Sequence, residues 1–561
     1  MKLTAQKTSL ILAAVALGVL AACDGQGPGG LDGSAPVVED ASGREPVPEI
    51  EIVAKTQAND PARYELTRLV ADAWVAAGIS TTMLPVGDAQ LNQKTATSKD
   101  FDVYTIGYAG TPERLDPDNF LGRFHSDNAQ ESGSNYSMYA DPEYDEAYTL
   151  TVTASTEDER VAAVREAQQI LFEDHAVAPV VHPSQGSAYR SDRWKGLEIT
   201  AATPVTSTYN AVNAEPTQGQ TELVWGTNTN PTTLNPVRAS NNQDLVPLQL
   251  IYDTALSFDT DGDLVENAAA SWETEAESVQ LTVRDGLEFT NGDPVTADDF
   301  AFTLEYMKEQ GAPLFATTLE TMEDVTVDGQ EVTVTFSEPA GSFPAVVLAN
   351  MPILPERIWS QYESADEAGR EDLIGSGPFV LEDYSVDESV SFRANERSRR
   401  VPNVDALSIL ILGSFDAAAG ALESGQIDMI NPAETVSSQY EQLDGVDGVE
   451  VVDEEIHGWT GLHYNTTSGP LSHPAFREAL TYLIPVEDIV DIVYQGEASP
   501  AGSVIAPTLD TWHNGDIEPI GYDVERAMQA LEEGGFVYDE SGQLYYPEGW
   551  DGEPPEQGGG E

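Results

Sequence analysis

Apolar and polar residues alternate with period two over residues 49–54 (EIEIVA), which predicts a half-buried strand. The period then changes. Asp60 and Pro61 read as the cap and first position of a helix, Leu66, Leu69, Val70, Ala73 and Trp74 recur on one face, and Gly78 closes it. Residues 101–107 predict another strand. Thr156 and Glu159 form a capping box that opens a helix to about residue 173, and 177–182 reads as a buried strand. Residues 216–220 make a short polar join, after which the grammar restarts with a strand at 222–226 running into a polar loop to Pro236. Strands and helices alternate from there to about residue 536. Thr296 to Asp299 cap a helix carrying Phe300, Leu304 and Met307, and Asp523 caps one that stops at Gly534-Gly535. The interleaving predicts an α/β or mixed α+β class.

The two ends differ from this body. Lys2 and Lys7 precede thirteen apolar residues, Leu10 to Ala22, a run that suits an export signal and is short for a membrane span. It ends in Leu20-Ala21-Ala22-Cys23, which resembles a lipobox; Cys23, the sole cysteine of the sequence, would then be the lipidation site and residues 1–22 the signal peptide. Residues 23–48, rich in Gly, Pro, Ser and acid, predict a flexible tether, and 548–561 a loose tail. Gly25 to Gly30 match GxGxxG formally, but neither strand nor helix flanks them, so no dinucleotide site is expected.

Length and charge narrow the function. A chain of 561 residues exceeds what one core usually supports, so two or three lobes are expected. Ninety-six acidic against 26 basic residues give a net charge of −70, which repels nucleic acid and suggests a surface suited to high salt. No HExxH pair, GxSxG elbow or Walker loop occurs, and one cysteine leaves no Cys-rich metal site, so no catalytic residue, metal or cofactor is expected. Asp259 to Asp263 (DTDGD) hints at a calcium loop, but its Gly is misplaced and a hairpin turn suits it better.

Residues 266–307 carry the most information. Ser271-Trp272, Arg284-Asp285-Gly286, Phe289, Asn291-Gly292 and Pro294 to Asp299 follow the order and spacing of the family 5 extracellular solute-binding proteins, the peptide- and nickel-binding class of ABC importer receptors, which the chain resembles. Further landmarks over 222–546 also resemble that family: Asn230 to Pro236, Gly375 to Phe379, Ala419 to Met429, and Tyr464-Asn465 with Pro470 to Leu480. Residues 49–213 resemble the family as well, but its C-terminal portion; Phe101-Asp102-Val103 with Gly107-Tyr108, and Asp116 to Leu121, carry that likeness. The two pieces are complementary and stand in reversed order. Circular permutation, with the usual termini joined near 216–220, is the simplest account; a tandem of two truncated receptors or a rearranged, dead gene are the rivals.

The resemblance implies a bilobal periplasmic-binding-protein-like clamshell. Residues 183–455 would form the first lobe, with the extra subdomain at 253–345, and residues 48–182 and 456–547 together the second. It implies a cleft lined by Tyr108, Ala109, Gly110, Thr111, Trp225, Thr227, Asn228, His457 and Trp459, with core packing as the other reading of the aromatics. Thr111 stands where peptide binders of the family carry an Asp for the ligand's ammonium, which leaves a peptide, sugar, glycopeptide or other solute open. The implied protein is a lipid-anchored, extracytoplasmic receptor at the cell membrane that hands an oligopeptide or similar solute to ABC permease subunits. The alternative is an envelope lipoprotein of the same fold that regulates or scaffolds cell-wall assembly.

Overall fold

The structure, a computed structural model, describes residues 35–550 except 40, 58, 109, 111–113, 132, 155, 201, 228–229, 276, 431–439 and 441. The signal segment, Cys23, and three of the expected cleft residues (Ala109, Thr111 and Asn228) lie outside the described residues. Among the described residues no helix is long and apolar enough to cross a membrane.

The predicted local elements form for the reasons the sequence contains. Asp60 caps the helix Pro61–Ala76 by accepting from the Arg63 N–H, and Gly78 takes the positive φ that ends it. Thr156 caps Glu157–Asp174 and Asp523 caps Val524–Glu533 in the same way. The Asp299 carboxylate accepts from both the backbone and the hydroxyl of Thr296, and its second oxygen takes the Glu356 N–H, so one side chain fixes a helix start and the loop beside it. Residues 259–263 turn between the antiparallel strands Leu256–Phe258 and Leu264–Glu266; no metal-holding cluster occurs among the described residues.

One sheet of twelve strands organises the molecule. In chain order its strands are β1 (Ile50–Lys55), β2 (Thr81–Val86), β3 (Val103–Tyr108), β4 (Val177–Tyr189), β5 (Glu222–Thr227), β6 (Phe379–Ser385), β7 (Ser389–Ala394), β8 (Ala406–Ile411), β9 (Met429–Ile430), β10 (Glu450–Glu455), β11 (Trp459–Tyr464) and β12 (Ala498–Pro500). They pair in the order β6-β7-β8-β5-β9-β4-β11-β3-β1-β2, with β10 and β12 also on β4. A separate four-stranded antiparallel sheet joins Ala269–Glu275, Ser278–Val283, Glu331–Phe336 and Met322–Asp328, and the helix Ala297–Glu309 packs on it.

The buried side chains fall into two groups. Two clusters draw on residues between 188 and 443. The other two draw on 47–181 together with 459–546. We call the first group lobe one and the second lobe two. Strand β4 runs thirteen residues from lobe two into lobe one, longer than the six expected, because its first half pairs β11 and its second half pairs β10. The β10–β11 stretch makes the return crossing beside it.

Lobe two is closed by contacts between residues hundreds of positions apart. Strand β11 lies antiparallel to β3, with Trp459 opposite Tyr108 and Tyr464 opposite Val103. Trp74 is fully buried and its indole N–H donates to the Leu480 carbonyl at 3.0 Å. The buried Arg477 guanidinium donates to the carbonyls of Asp174, His175 and Leu471, and the Tyr538 hydroxyl donates to Ala77 O. Within the expected tether, residues 37–38 and 45–47 are held by backbone pairing. Val37–Val38 run parallel to Tyr538–Asp539, and Val47 N donates to Leu544 O at 2.8 Å. The expected tail is likewise packed as far as Trp550, which stacks on Tyr546.

Candidate functional site

A cavity of about 890 Å³ lies between the lobes where β4 and the 456–458 link cross. That volume is in the range of small-molecule sites. Lobe two contributes Lys55, Arg63, Gly107, Tyr108, Gly110, Thr460 and Tyr494; lobe one contributes Thr206, Ser207, Tyr252, Asn267, Asn350, Arg399 and Arg400; Pro183, Ser184, Gln185 and Ile456 close it at the crossings.

Tyr108 ends β3, and its place in the sheet sets its surroundings. Cross-strand pairing puts Trp459 beside it, ring centroids 4.9 Å apart, while Phe120 meets it edge-on at 6.0 Å. Its hydroxyl lies 3.3 Å from His463 Nε2. Ser137 Oγ is 2.9 Å from the Ala176 carbonyl, to which it gives its single proton, and 2.8 Å from His463 Nδ1. The imidazole must therefore donate from Nδ1 and accept from Tyr108 at Nε2. Burial, reinforced by the charges of Arg123 and Lys99, holds His463 down at about 3, so it stays neutral. Burial pushes the Tyr108 hydroxyl up to about 12, and the Arg123 guanidinium lies 5.0 Å from the centre of its ring. The result is an uncharged aromatic wall with its rotamers fixed from behind.

Gly110 follows on the same rim. A Cβ there would lie 2.7 Å from Ile456 Cβ and 2.9 Å from His457 N, so the two connecting segments approach this closely only with glycine. Of the other expected cleft residues, Trp459 is 1% exposed and packs behind Tyr108, whereas Trp225, also 1% exposed, lies in the lobe-one core between Ile409 and Met429. Thr227 ends β5 and His457 lies in the crossing link, both buried. Thus Tyr108 and Gly110 border the cavity, and Trp225, Thr227, His457 and Trp459 stand outside its lining.

The lobe-one wall was not anticipated. Arg399 and Arg400 face the cavity beside Asn267. Arg399 Nη2 donates to Asn267 Oδ1 at 2.7 Å, and Arg400 Nη2 to the buried Asp253 carboxylate at 2.9 Å. A signal did exist: Arg397-Ser398-Arg399-Arg400 is a basic run in a chain with nearly four acids for every base. Short polar side chains such as Asn267 gave no signal, since nothing in their spacing marks a cleft.

Against known proteins, residues 263–555, rather more than half of the chain, match the family model "Bacterial extracellular solute-binding proteins, family 5 Middle". The chain belongs to this family, which is one of binding proteins rather than of enzymes. It is 25% identical over 358 residues to oligopeptide-binding protein OppA of Bacillus subtilis (58% of this chain, 64% of the relative). It is 25% identical over 323 residues to heme-binding protein A of Haemophilus influenzae (51% and 57%) and 23% identical over 327 residues to the nickel-binding periplasmic protein of Escherichia coli (56% and 60%). The chain thus matches less than two thirds of the length of these relatives. Among solved structures it is similar to AppA of Bacillus subtilis bound to a nonapeptide (22% identity, 56% of this chain and 64% of that one, TM-score 0.45). It is also similar to the ABC transporter substrate-binding protein CtaP of Listeria monocytogenes (24%, 56% and 66%, TM-score 0.48).

Proposed function

We propose that this family 5 protein is the extracytoplasmic receptor of an ABC importer, anchored to the cell membrane through a lipid on Cys23, and that it captures a peptide or related solute in the cavity between its lobes. The observation that carries the reading is the cavity itself: about 890 Å³, walled by two separately packed lobes that are joined by two strand crossings. Two rigid bodies on a narrow connection can close on a solute, and a closed form can be told from an open one by a permease. Relatives named for oligopeptides, heme and nickel keep the solute class open. Tyr108 and Gly110 would meet the solute directly. Trp459 and His457 would support them from behind, with Ala109, Thr111, Thr227 and Asn228 as further candidate contacts and Trp225 bracing the lobe-one strand.

We propose further that the clamshell is circularly permuted. What supports this is the packing of residues 47–181 with 459–546 in shared clusters, the β3–β11 ladder, and the pairing of Val37–Val38 with Tyr538–Asp539 and of Val47 with Leu544. A tandem of truncated receptors would need two cores with no shared sheet. Mass spectrometry of the purified protein, native and then denatured, tests the function. A small molecule released in near-equal amount on denaturation is the expected result, and a protein that never carries or takes up a solute would overturn the reading. Cys23→Ala should move the protein from membranes to the soluble fraction.

A further inference from the structure

We propose that the lobe-one wall of the cavity is an anion site, in which the Arg399 guanidinium receives a carboxylate of the solute, with Arg400 and Arg284 beside it. The inference rests on the cavity being the solute site. It begins from an imbalance of charge. Many arginines elsewhere in this acidic chain pair with acids: Arg397 with Glu288 at 2.7 Å, Arg238 with Asp366 at 2.8 Å, Arg160 with Asp116 at 2.8 Å. Around Asn267 the balance inverts. Arg284 donates to the Asn267 carbonyl at 3.1 Å, Arg399 to its side-chain oxygen at 2.7 Å, and Arg400 to Asp253 at 2.9 Å. Asp253 is the only carboxylate among the described residues that forms an ion pair with any of the three.

Two details show that this positive charge is unspent. Arg400 Nε is buried with no acceptor. Burial, and next the neighbouring Arg400 charge, lower the pKa of Arg399, with Arg284 adding to the effect against the pull of Asp253. Three guanidinium groups with one carboxylate repel one another, and the protein has placed a neutral amide, not another acid, at their centre. Arg399 is exposed toward the cavity, so its remaining N–H groups are open to an incoming oxygen pair. A planar guanidinium binds a carboxylate through two parallel hydrogen bonds, which a lysine or an amide cannot imitate. The local field also matters more here than elsewhere, because a net charge of −70 repels anions from the rest of the surface.

The test has two arms on the full-length protein. Citrate is titrated by calorimetry at constant ionic strength into the wild type, Arg399→Gln, and Lys195→Gln as a control for lost surface charge. Wild type and control should bind citrate alike and Arg399→Gln about tenfold more weakly, with an unchanged melting curve in its absence. Citrate bound equally by Arg399→Gln, or not bound by the wild type, overturns the anion site. In the second arm a pool of tripeptides is offered as free acids and as C-terminal amides. Preference for the acids that vanishes in Arg399→Gln assigns the carboxylate to a peptide. Retention of neither pool, with citrate still discriminated, leaves the anion site standing and removes peptides from the proposed function. Equal retention of acids and amides by the wild type counts against Arg399 as a solute anchor.

Discussion

The two lobes solve the same packing problem with different chain economies. Lobe one takes its core from a single stretch, with every member of its two clusters between residues 188 and 443. Lobe two joins two stretches separated by that entire lobe, and buries Trp74 against Leu480 and Arg477 against Asp174 to do so. The lobes also differ in what they bring to the cleft: the aromatic Tyr108 beside the mixed charges of Lys55, Asp60, Arg63 and Glu65 from lobe two, and the adjacent Arg399 and Arg400 from lobe one. The difference teaches that adjacency in sequence is not needed for a cooperative lobe, provided that the stretches share a sheet and a core.

Acid should separate the lobes most. The sequence has no histidine between 183 and 455, whereas lobe two holds His175, His182 and His463 buried. Burial lowers them to about 4, 4 and 3, below the ordinary 6.5, so the unfolded chain takes up protons first as pH falls. Their stability is complete above pH 6.5 and drains away between 6.5 and about 4, or about 3 for His463, at about 2 kcal/mol for each imidazole by pH 5. Hydrogen exchange, corrected for intrinsic rates, should show lobe two opening first; uniform loss across both lobes would remove this asymmetry.

Trp74→Ala attacks the joint between the two stretches. Removing a fully buried indole should cost lobe two about 3–5 kcal/mol in urea denaturation. Protection of 47–181 and 459–546 should fall together, and a loss confined to one stretch would mean that they do not fold as a unit.

Asp299→Ala is the counterpart in lobe one. It removes the acceptor for Thr296 and Glu356 and should cost about 1–2 kcal/mol, read as a lower melting temperature with lobe-two exchange unchanged. The smallest effect belongs to the cleft. Tyr108→Ala should weaken solute binding by about 1 kcal/mol, while Tyr108→Phe keeps most of the ring contact and loses the bond to His463. Equal affinity in wild type and Tyr108→Ala would place the solute elsewhere in the cavity.

The sequence by itself determined the local elements and their ends. Asp60, Thr156, Asp523 and the Thr296–Asp299 pair cap helices because short oxygen-bearing side chains satisfy N–H groups that no helix can satisfy internally, a bond made within three residues. It also determined the family, since the turn and cap signals over 266–307 are local and ordered. Only the tertiary structure decided which aromatics face the cleft. Trp225 and Tyr108 both end near strand termini and look alike in sequence, yet pairing with β8 and β9 buries one in a core while the other reaches the cavity rim. The same holds for the cationic wall. Arg284, Asn267 and Arg399 span more than a hundred residues, and no periodicity links positions that meet only because one end of the four-stranded sheet comes to rest at the loop between β7 and β8. Hydrogen-bond capping acts over one turn of chain, whereas a binding site is set by where whole elements come to rest.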